Sequence, residues 1–329
     1  MRLSLLACLA FSVASSAAQA AEWHVQRVDT PARVSAVDSV SGETRINAGG
    51  LWYRLVIEGE RVGLVFIDKV EDPEPPDGAL ADGRVVTGTR DIARAWLSEP
   101  TNRYDHGVLG DKIEAGSLTI ETRDGNTHFV KLKTDAVFED LTPRLADLDG
   151  DGNDEVVLVK SYIAGGAALA VVGLVKGRYD VIAETPPIGT PHRWLNPAGI
   201  ADFNGDGKQD IAIVRMPHAV GQLELWSFAD KKLRKTTELP DATNHVAGTR
   251  AISLSAVGDF DGDGLPDLAL PSFDRSKLRL ISFAGGPHEF ASVTLPAKAF
   301  TDMVVAEKAS QTLVLGLEDG SLVVVRPAR

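Results

Sequence analysis

D-L-D-G-D-G-N-D-E at residues 147–155 is followed by two near copies, D-F-N-G-D-G-K-Q-D at 202–210 and D-F-D-G-D-G-L-P-D at 259–267. Oxygen-bearing side chains stand at the first, third, fifth and ninth places, with Gly at the sixth. Calcium takes six to eight hard oxygens, so a short peptide must curl until alternate side chains meet at one point. In the first copy these are Asp147, Asp149, Asp151 and Glu155, with the Asn153 carbonyl. The second offers Asp202, Asn204, Asp206, Asp210 and the Lys208 carbonyl; the third offers Asp259, Asp261, Asp263, Asp267 and the Leu265 carbonyl. Gly152, Gly207 and Gly264 fall where the chain must turn with positive φ, which glycine adopts without steric cost. The second place is always apolar (Leu148, Phe203, Phe260) and can anchor the loop from below. Asp and Gly favour solvated turns by themselves, but three copies in register make that reading the weaker one.

An EF-hand requires a bidentate Glu at the twelfth place, where this chain has Leu158, Ile213 and Leu270. Each loop instead leads into a short apolar run: V-V-L-V at 156–159, I-A-I-V at 211–214 and L-A-L at 268–270. Such runs read as buried strands. Further runs follow at 168–175, 222–228 and 277–283, then at 179–185, 233–239 and 288–295. Counting the strand that enters each loop (143–146, 198–201, 254–258), each repeat has four short strands, the pattern of a β-propeller blade.

The repeats lie at about 141–195, 196–252 and 253–299. A blade is expected at about 33–83, and a degenerate one at about 84–140. In the latter, D-I-A-R-A-W-L at 91–97 reads as the entering strand, with Asn102 to Asp111 in place of the calcium loop. The last segment supplies three strands (302–306, 312–317, 321–326), and E-W-H-V-Q-R-V at 22–28 supplies a fourth. The expected fold is all-β: one propeller domain over 21–329 of four-stranded blades, six in number with seven as the rival count, closed by both chain ends in one blade. Closure in this way removes exposed strand edges.

With these residues in place, the chain resembles the FG-GAP and VCBS repeat proteins, whose blades build the propeller of integrin α subunits. The loops match that family's D-x-[DN]-G-D-G-x-x-[DE] pattern, well over about 138–297 and weakly at the flanks. The resemblance implies calcium in the loops, about three structural ions, and a role in adhesion or ligand binding. Some relatives accompany polysaccharide lyases or other enzymes.

Residues 1–20 read as a secretory leader: Arg2, an apolar stretch from Leu3 to Val13, and Ala18-Gln19-Ala20 before the cut. The stretch is too short to span a bilayer, and too little apolar sequence precedes Cys8 for an acylation site. The expected location is the periplasm or outside the cell. Cys8 is the chain's single cysteine, so disulfides cannot brace the mature protein, and bound cations would. Loss of Arg2 takes the formal charge from −12 to −13. So acidic a chain without a basic stripe does not suit nucleic acid. A monomer is expected, with an unknown protein or glycan as ligand.

No G-x-S-x-G elbow, H-E-x-x-H helix or phosphate loop occurs. Polar and aromatic residues do gather before the entering strands: Glu139 and Asp140, then His192, Arg193 and Trp194 with Asn196, then Asn244 and His245. Arg103, Tyr104 and His106 stand in the altered loop. In a propeller these would face one ligand site at the channel mouth, though ordinary loop positions are the commoner explanation for such residues. The reading is a calcium-stabilised binding or protein-interaction module; the alternative is a polysaccharide lyase or hydrolase with its site there.

Overall fold

The computed structural model describes residues 22–40, 42–68, 74–306 and 311–328. The expected leader with Cys8 lies outside them. All regular elements among the described residues are strands, arranged as four four-stranded antiparallel sheets and one nine-stranded sheet. No helix among them is long and apolar enough to cross a membrane.

Two of the four-stranded sheets carry the second and third loops. One orders β15 (Leu195–Ala201), β16 (Asp210–Arg215), β17 (Gln222–Ala229) and β18 (Lys232–Leu239); the other orders β19 (Ala256–Gly258), β20 (Asp267–Pro271), β21 (Lys277–Ser282) and β22 (His288–Thr294). In each, the loop joins the first strand to the second. The second strand is apolar after its first residue, an Asp that belongs to the loop (β16 also ends on Arg215), and is buried, since it lies between two other strands and between neighbouring sheets. The fourth is the outer edge: β18 reads KLRKTTEL and exposes alternate side chains, as a half-solvated strand does.

The chain ends meet as expected. β1 (Trp23–Val28) pairs antiparallel with β25 (Leu322–Pro327) from Trp23↔Pro327 to Val28↔Leu322, completing a sheet with β24 (Leu313–Leu317) and β23 (Ala299–Val305). A further sheet orders β2 (Val34–Val40), β3 (Glu43–Ala48), β4 (Leu51–Glu58) and β5 (Arg61–Phe66).

The nine-stranded sheet departs from the expected pattern. It contains β6 (Val86–Thr87), β7 (Ile92–Thr101), β8 (Glu114–Thr122) and β9 (Thr127–Lys131), then β11 (Arg144–Ala146), β12 (Glu155–Tyr162), β13 (Gly166–Val175) and β14 (Arg178–Glu184). Between these sets of four, β10 (Ala136–Phe138) pairs with both β8 and β12 and fuses them. The run at 91–97 is therefore the second strand of its set, not the entering one; β6, only two residues long, enters. Accordingly Asn102–Asp111 joins second to third strand and does not replace a calcium loop. The counterpart of that loop is the short connection at 88–91.

Apolar clusters join neighbouring sheets face to face. Val34, Ile46, Val314 and Val324 join the β2–β5 sheet to the one holding β1. Trp23, Phe260, Leu280 and Leu315 join that sheet to β19–β22. Phe203, Leu225, Leu268 and Phe283 join β19–β22 to β15–β18, and Leu158, Trp194, Ile211 and Phe228 continue into the nine-stranded sheet. The entering segments of four successive sets, at 86–90, 143–145, 197–200 and 253–255, line a common cavity of about 470 Å³.

Candidate functional site: aspartate loops and a histidine-lined pocket

The three aspartate loops adopt one geometry. The first carboxylate receives backbone N–H groups from the tip: Asp147 from Gly150 (2.8 Å) and Gly152 (3.1 Å), Asp202 from Asp206 (3.0 Å) and Gly207 (2.8 Å), and Asp259 from Gly262 (2.7 Å) and Gly264 (3.1 Å). The fifth carboxylate accepts from the residue two ahead: Asp151 from Asn153, Asp206 from Lys208 and Asp263 from Leu265. Gly152, Gly207 and Gly264 have φ of 92°, 83° and 92°, so the sharp turn falls where glycine stands. Leu148, Phe203 and Phe260 are buried beneath the loops.

Two of the loops hold acidic groups close enough to share a cation: Asp147, Asp149 and Asp151 in the first, and Asp259, Asp261 and Asp267 in the third. The ninth-place carboxylates are the buried ones. Burial, with the neighbouring carboxylates adding, raises Glu155 and Asp210 each to about 7. Burial likewise raises Asp267 to about 6. Asp267 Oδ2 accepts from the backbone N–H groups of Phe260 (2.9 Å) and Asp261 (3.2 Å). Its Oδ1 is buried without a hydrogen-bond partner. A buried, repelled carboxylate with a bare oxygen fits a hard divalent cation. In the second loop the Asn204 amide donates to Asp210 Oδ2 (2.9 Å), supplying a neutral partner instead.

The first loop has a neighbour that its sequence does not show. Arg90, in the 88–91 connection, reaches Asp154 Oδ1 at 3.0 Å and Asp147 Oδ2 at 3.8 Å, while Asp91 accepts from the Asp154 N–H (2.7 Å) and from the Tyr179 hydroxyl (2.6 Å). A guanidinium thus occupies the structural position of an aspartate loop and braces the next one.

At the other end of the strands, the loops joining second to third strands meet the connections between sets. There the structure brings Tyr104, His106, His192, Arg193, Trp194 and His245 together. His106 and His192 stack with ring centroids 5.3 Å apart, and Tyr104 lies 5.1 Å from His192, whose backbone N–H donates to the Tyr104 hydroxyl (2.8 Å). Trp194 contacts His245 edge-on at 4.8 Å and lies parallel to His218 at 6.1 Å. His106, His192, Arg193, Trp194, Met216 and His218 line a pocket of about 270 Å³. His192 and Met216 have φ of 55° and 49°; non-glycine residues held in this region cluster at functional sites.

Glu139 lies behind the pocket with its side chain fully buried. It accepts from Ser161 Oγ and meets His106 Nδ1 at 2.6 Å, and its backbone carbonyl accepts from Trp194 Nε1 (3.0 Å). Arg103 turns away and donates to the Ala136 carbonyl. Asp140 is spent on the Leu141 and Val159 N–H groups and on Arg144. Asn196 and Asn244 donate to one another's backbone segments inside the core. His218 escaped the sequence reading, since Met-Pro-His-Ala at 216–219 matches no motif. It meets His245 with Nε2 to Nδ1 at 2.9 Å, and His245 Nε2 faces the Thr249 carbonyl at 3.0 Å. Burial first, and the His218 imidazole next, lowers His245 to about 3; burial first, and His106 next, lowers His218 to about 4, against the hydrogen bond to His245, which acts the other way.

Residues 202–270 match the FG-GAP-like repeat. The matched stretch runs from the first ligand position of the second loop into the strand after the third. No curated protein matches the chain. Among solved structures, it is similar to a luciferin-regenerating enzyme, with TM-score 0.44 and 10% identity over 93% of this chain and 95% of that one. A Bacillus licheniformis rhamnogalacturonan lyase gives TM-score 0.38 and 16% identity over 74% of this chain and 51% of the lyase. Likenesses this distant do not bear on what the chain does.

Proposed function

We propose that the chain is a six-bladed β-propeller of the periplasm or cell exterior. In this reading calcium in the aspartate loops braces one face, and the pocket on the opposite face binds the ligand. Support for the ring comes from six sets of four strands, from the β1–β25 pairing, and from the entering segments of four sets, which line one cavity. Closure of the ring requires the β2–β5 sheet to meet the β6–β9 set.

The observation that carries the ligand site is the convergence of Tyr104, His106, His192, Trp194, His218 and His245 from separate connections, all at the strand ends away from the calcium loops. The calcium ions stay remote from this pocket and act as scaffold. The ligand is a glycan, for which stacked rings beside polar ring nitrogens are a suitable wall. A glycan array probed with the calcium-loaded protein tests this: binding should fall at least tenfold in His192→Ala, and binding that persists undiminished in that variant would refute the site.

One observation favours the enzymatic alternative, a polysaccharide lyase or hydrolase. Glu139 orients His106 as a carboxylate orients a general base. Turnover of a polysaccharide panel, lost in His106→Gln, would decide for it.

A further inference from the structure

Arg193 is the arginine of the pocket wall, and its charge is unspent. Its backbone carbonyl accepts from the Ala167 N–H at 2.8 Å, but among the described residues its guanidinium meets neither a carboxylate nor a carbonyl. Arginines that line other cavities differ in this respect: Arg54 is tied to Glu43 at 3.4 Å, Arg90 to Asp154 at 3.0 Å and Arg144 to Asp140 at 2.8 Å.

The other basic groups around the pocket are already matched. His106 meets the buried Glu139 at 2.6 Å and His192 meets Asp105 at 3.3 Å, while His218 and His245 face one another at 2.9 Å. Among the described residues that line the pocket, none is acidic. The wall therefore carries one unmatched permanent positive charge, in a chain whose formal charge is −12. So acidic a chain repels anions in general, and a bare cation at one pocket gives them a single place to bind. The segment that carries it is held in advance: Tyr104 receives the His192 N–H, Ala167 donates to the Arg193 carbonyl, and Trp194 Nε1 donates to the Glu139 carbonyl. A base fixed before the ligand arrives lowers the ordering cost of binding.

The shape of the donor selects the anion. A guanidinium presents its N–H groups as a planar fork, which two coplanar carboxylate oxygens match bidentately. A sulfate ester spreads its charge over three tetrahedral oxygens and calls for further donors, and the neighbouring imidazoles are committed. A volume of about 270 Å³ lies at the small end for a ligand pocket and takes one sugar ring of a chain, with the exposed His192 ring beside it.

We infer that the ligand is an acidic glycan and that Arg193 holds the carboxylate of one uronic acid residue in this pocket. The inference rests on the glycan-binding reading above and names the charge of the glycan.

Calorimetric titration of the calcium-loaded protein with uronic acid trisaccharides, and with the same trisaccharides as methyl esters, tests it. Esterification keeps the ring and removes the charge. One carboxylate held by a guanidinium is worth about 10- to 100-fold in affinity, so the acid should bind that much more tightly than the ester. In Arg193→Gln, at an exposed position where folding is not at stake, the preference should vanish. In Arg193→Lys, which keeps the charge and loses the fork, it should fall in part, and Arg178→Gln on β14 should leave it as in the parent. The inference is overturned if acid and ester bind alike in the parent, if Arg193→Gln keeps the preference, or if the glycan array shows sulfated sugars bound and uronates not. Glycan binding that is lost in His192→Ala yet shows no preference for the acid would overturn this inference alone; binding of no glycan at all would overturn the reading beneath it as well.

Discussion

Asp267→Asn separates a cation loop from a self-sufficient turn. The substitution keeps the shape and one acceptor oxygen, so the Phe260 and Asp261 N–H groups, at 2.9 and 3.2 Å, retain their partner. What it removes is charge, at a side chain that is 0% exposed and whose Oδ1 meets no donor. With calcium at a hundredfold excess over its dissociation constant, an occupied site stabilises the fold by about 2.7 kcal/mol. Loss of one of four carboxylates forfeits most of that, so the variant should be about 2 kcal/mol less stable in calcium. In chelator the sign changes. A buried acceptor without a partner costs about 1–3 kcal/mol, more when charged, and the amide relieves the charged part of that cost. The variant should then equal or exceed the parent. Urea unfolding followed by tryptophan fluorescence, with calcium and with chelator, gives both differences. Equal destabilisation in the two conditions would show that Asp267 serves the turn alone and would refute the reasoning.

Other outcomes follow from the same geometry. With three carboxylates, and Asn204 donating its amide to Asp210, the second loop should bind calcium most weakly; in separate titrations Asp202→Ala should remove the weakest site, and Asp147→Ala and Asp259→Ala tighter ones. Glu114 is 2% exposed, and burial raises it to about 10. Because the folded state holds this proton more tightly than the unfolded one, stability is fully present below about pH 4.5 and declines as pH rises toward 10. Glu114→Gln should match the parent near pH 4 and exceed it by a few kcal/mol at pH 8, as read from unfolding midpoints across that range; a parallel pH profile for both would contradict it. At Gly166, φ is 72° and an added Cβ would lie 2.3 Å from the Thr190 carbonyl oxygen and 2.9 Å from that of Arg193. Gly166→Ala should therefore cost more than about 1 kcal/mol and displace the segment bearing His192, seen as lowered stability and weakened ligand binding together.

Much of the architecture is legible along the chain because the loops repeat. Once Asp147, Asp202 and Asp259 are aligned, the apolar runs after them can only be the strands that β12, β16 and β20 become. The pairing of Trp23–Val28 with Leu322–Pro327 follows from counting strands at the two ends. The same method misplaces the set without an aspartate loop, because β6 has two residues and no periodicity to show. A strong apolar run at 91–97 then draws the assignment one strand too early. β10 is hidden for a like reason: three residues pair on both sides and fuse two sets that a repeat count keeps apart. In the pocket, His192, Trp194 and His245 stand out by clustering before entering strands, whereas His218 comes from a connection within a sheet and approaches them only in three dimensions. Arg103 and Asp140 belong to the same stretches yet bond to backbone and to Arg144, which only the geometry reveals.

The account rests on calcium as scaffold, and the melting temperature of the protein in calcium and in chelator tests that most directly. Two well-occupied sites contribute about 5 kcal/mol, which lowers the midpoint by about 8 °C for a chain of this size when the ion is withdrawn. The account predicts a drop of that order, reversed by adding calcium back; identical midpoints in the two conditions would contradict it.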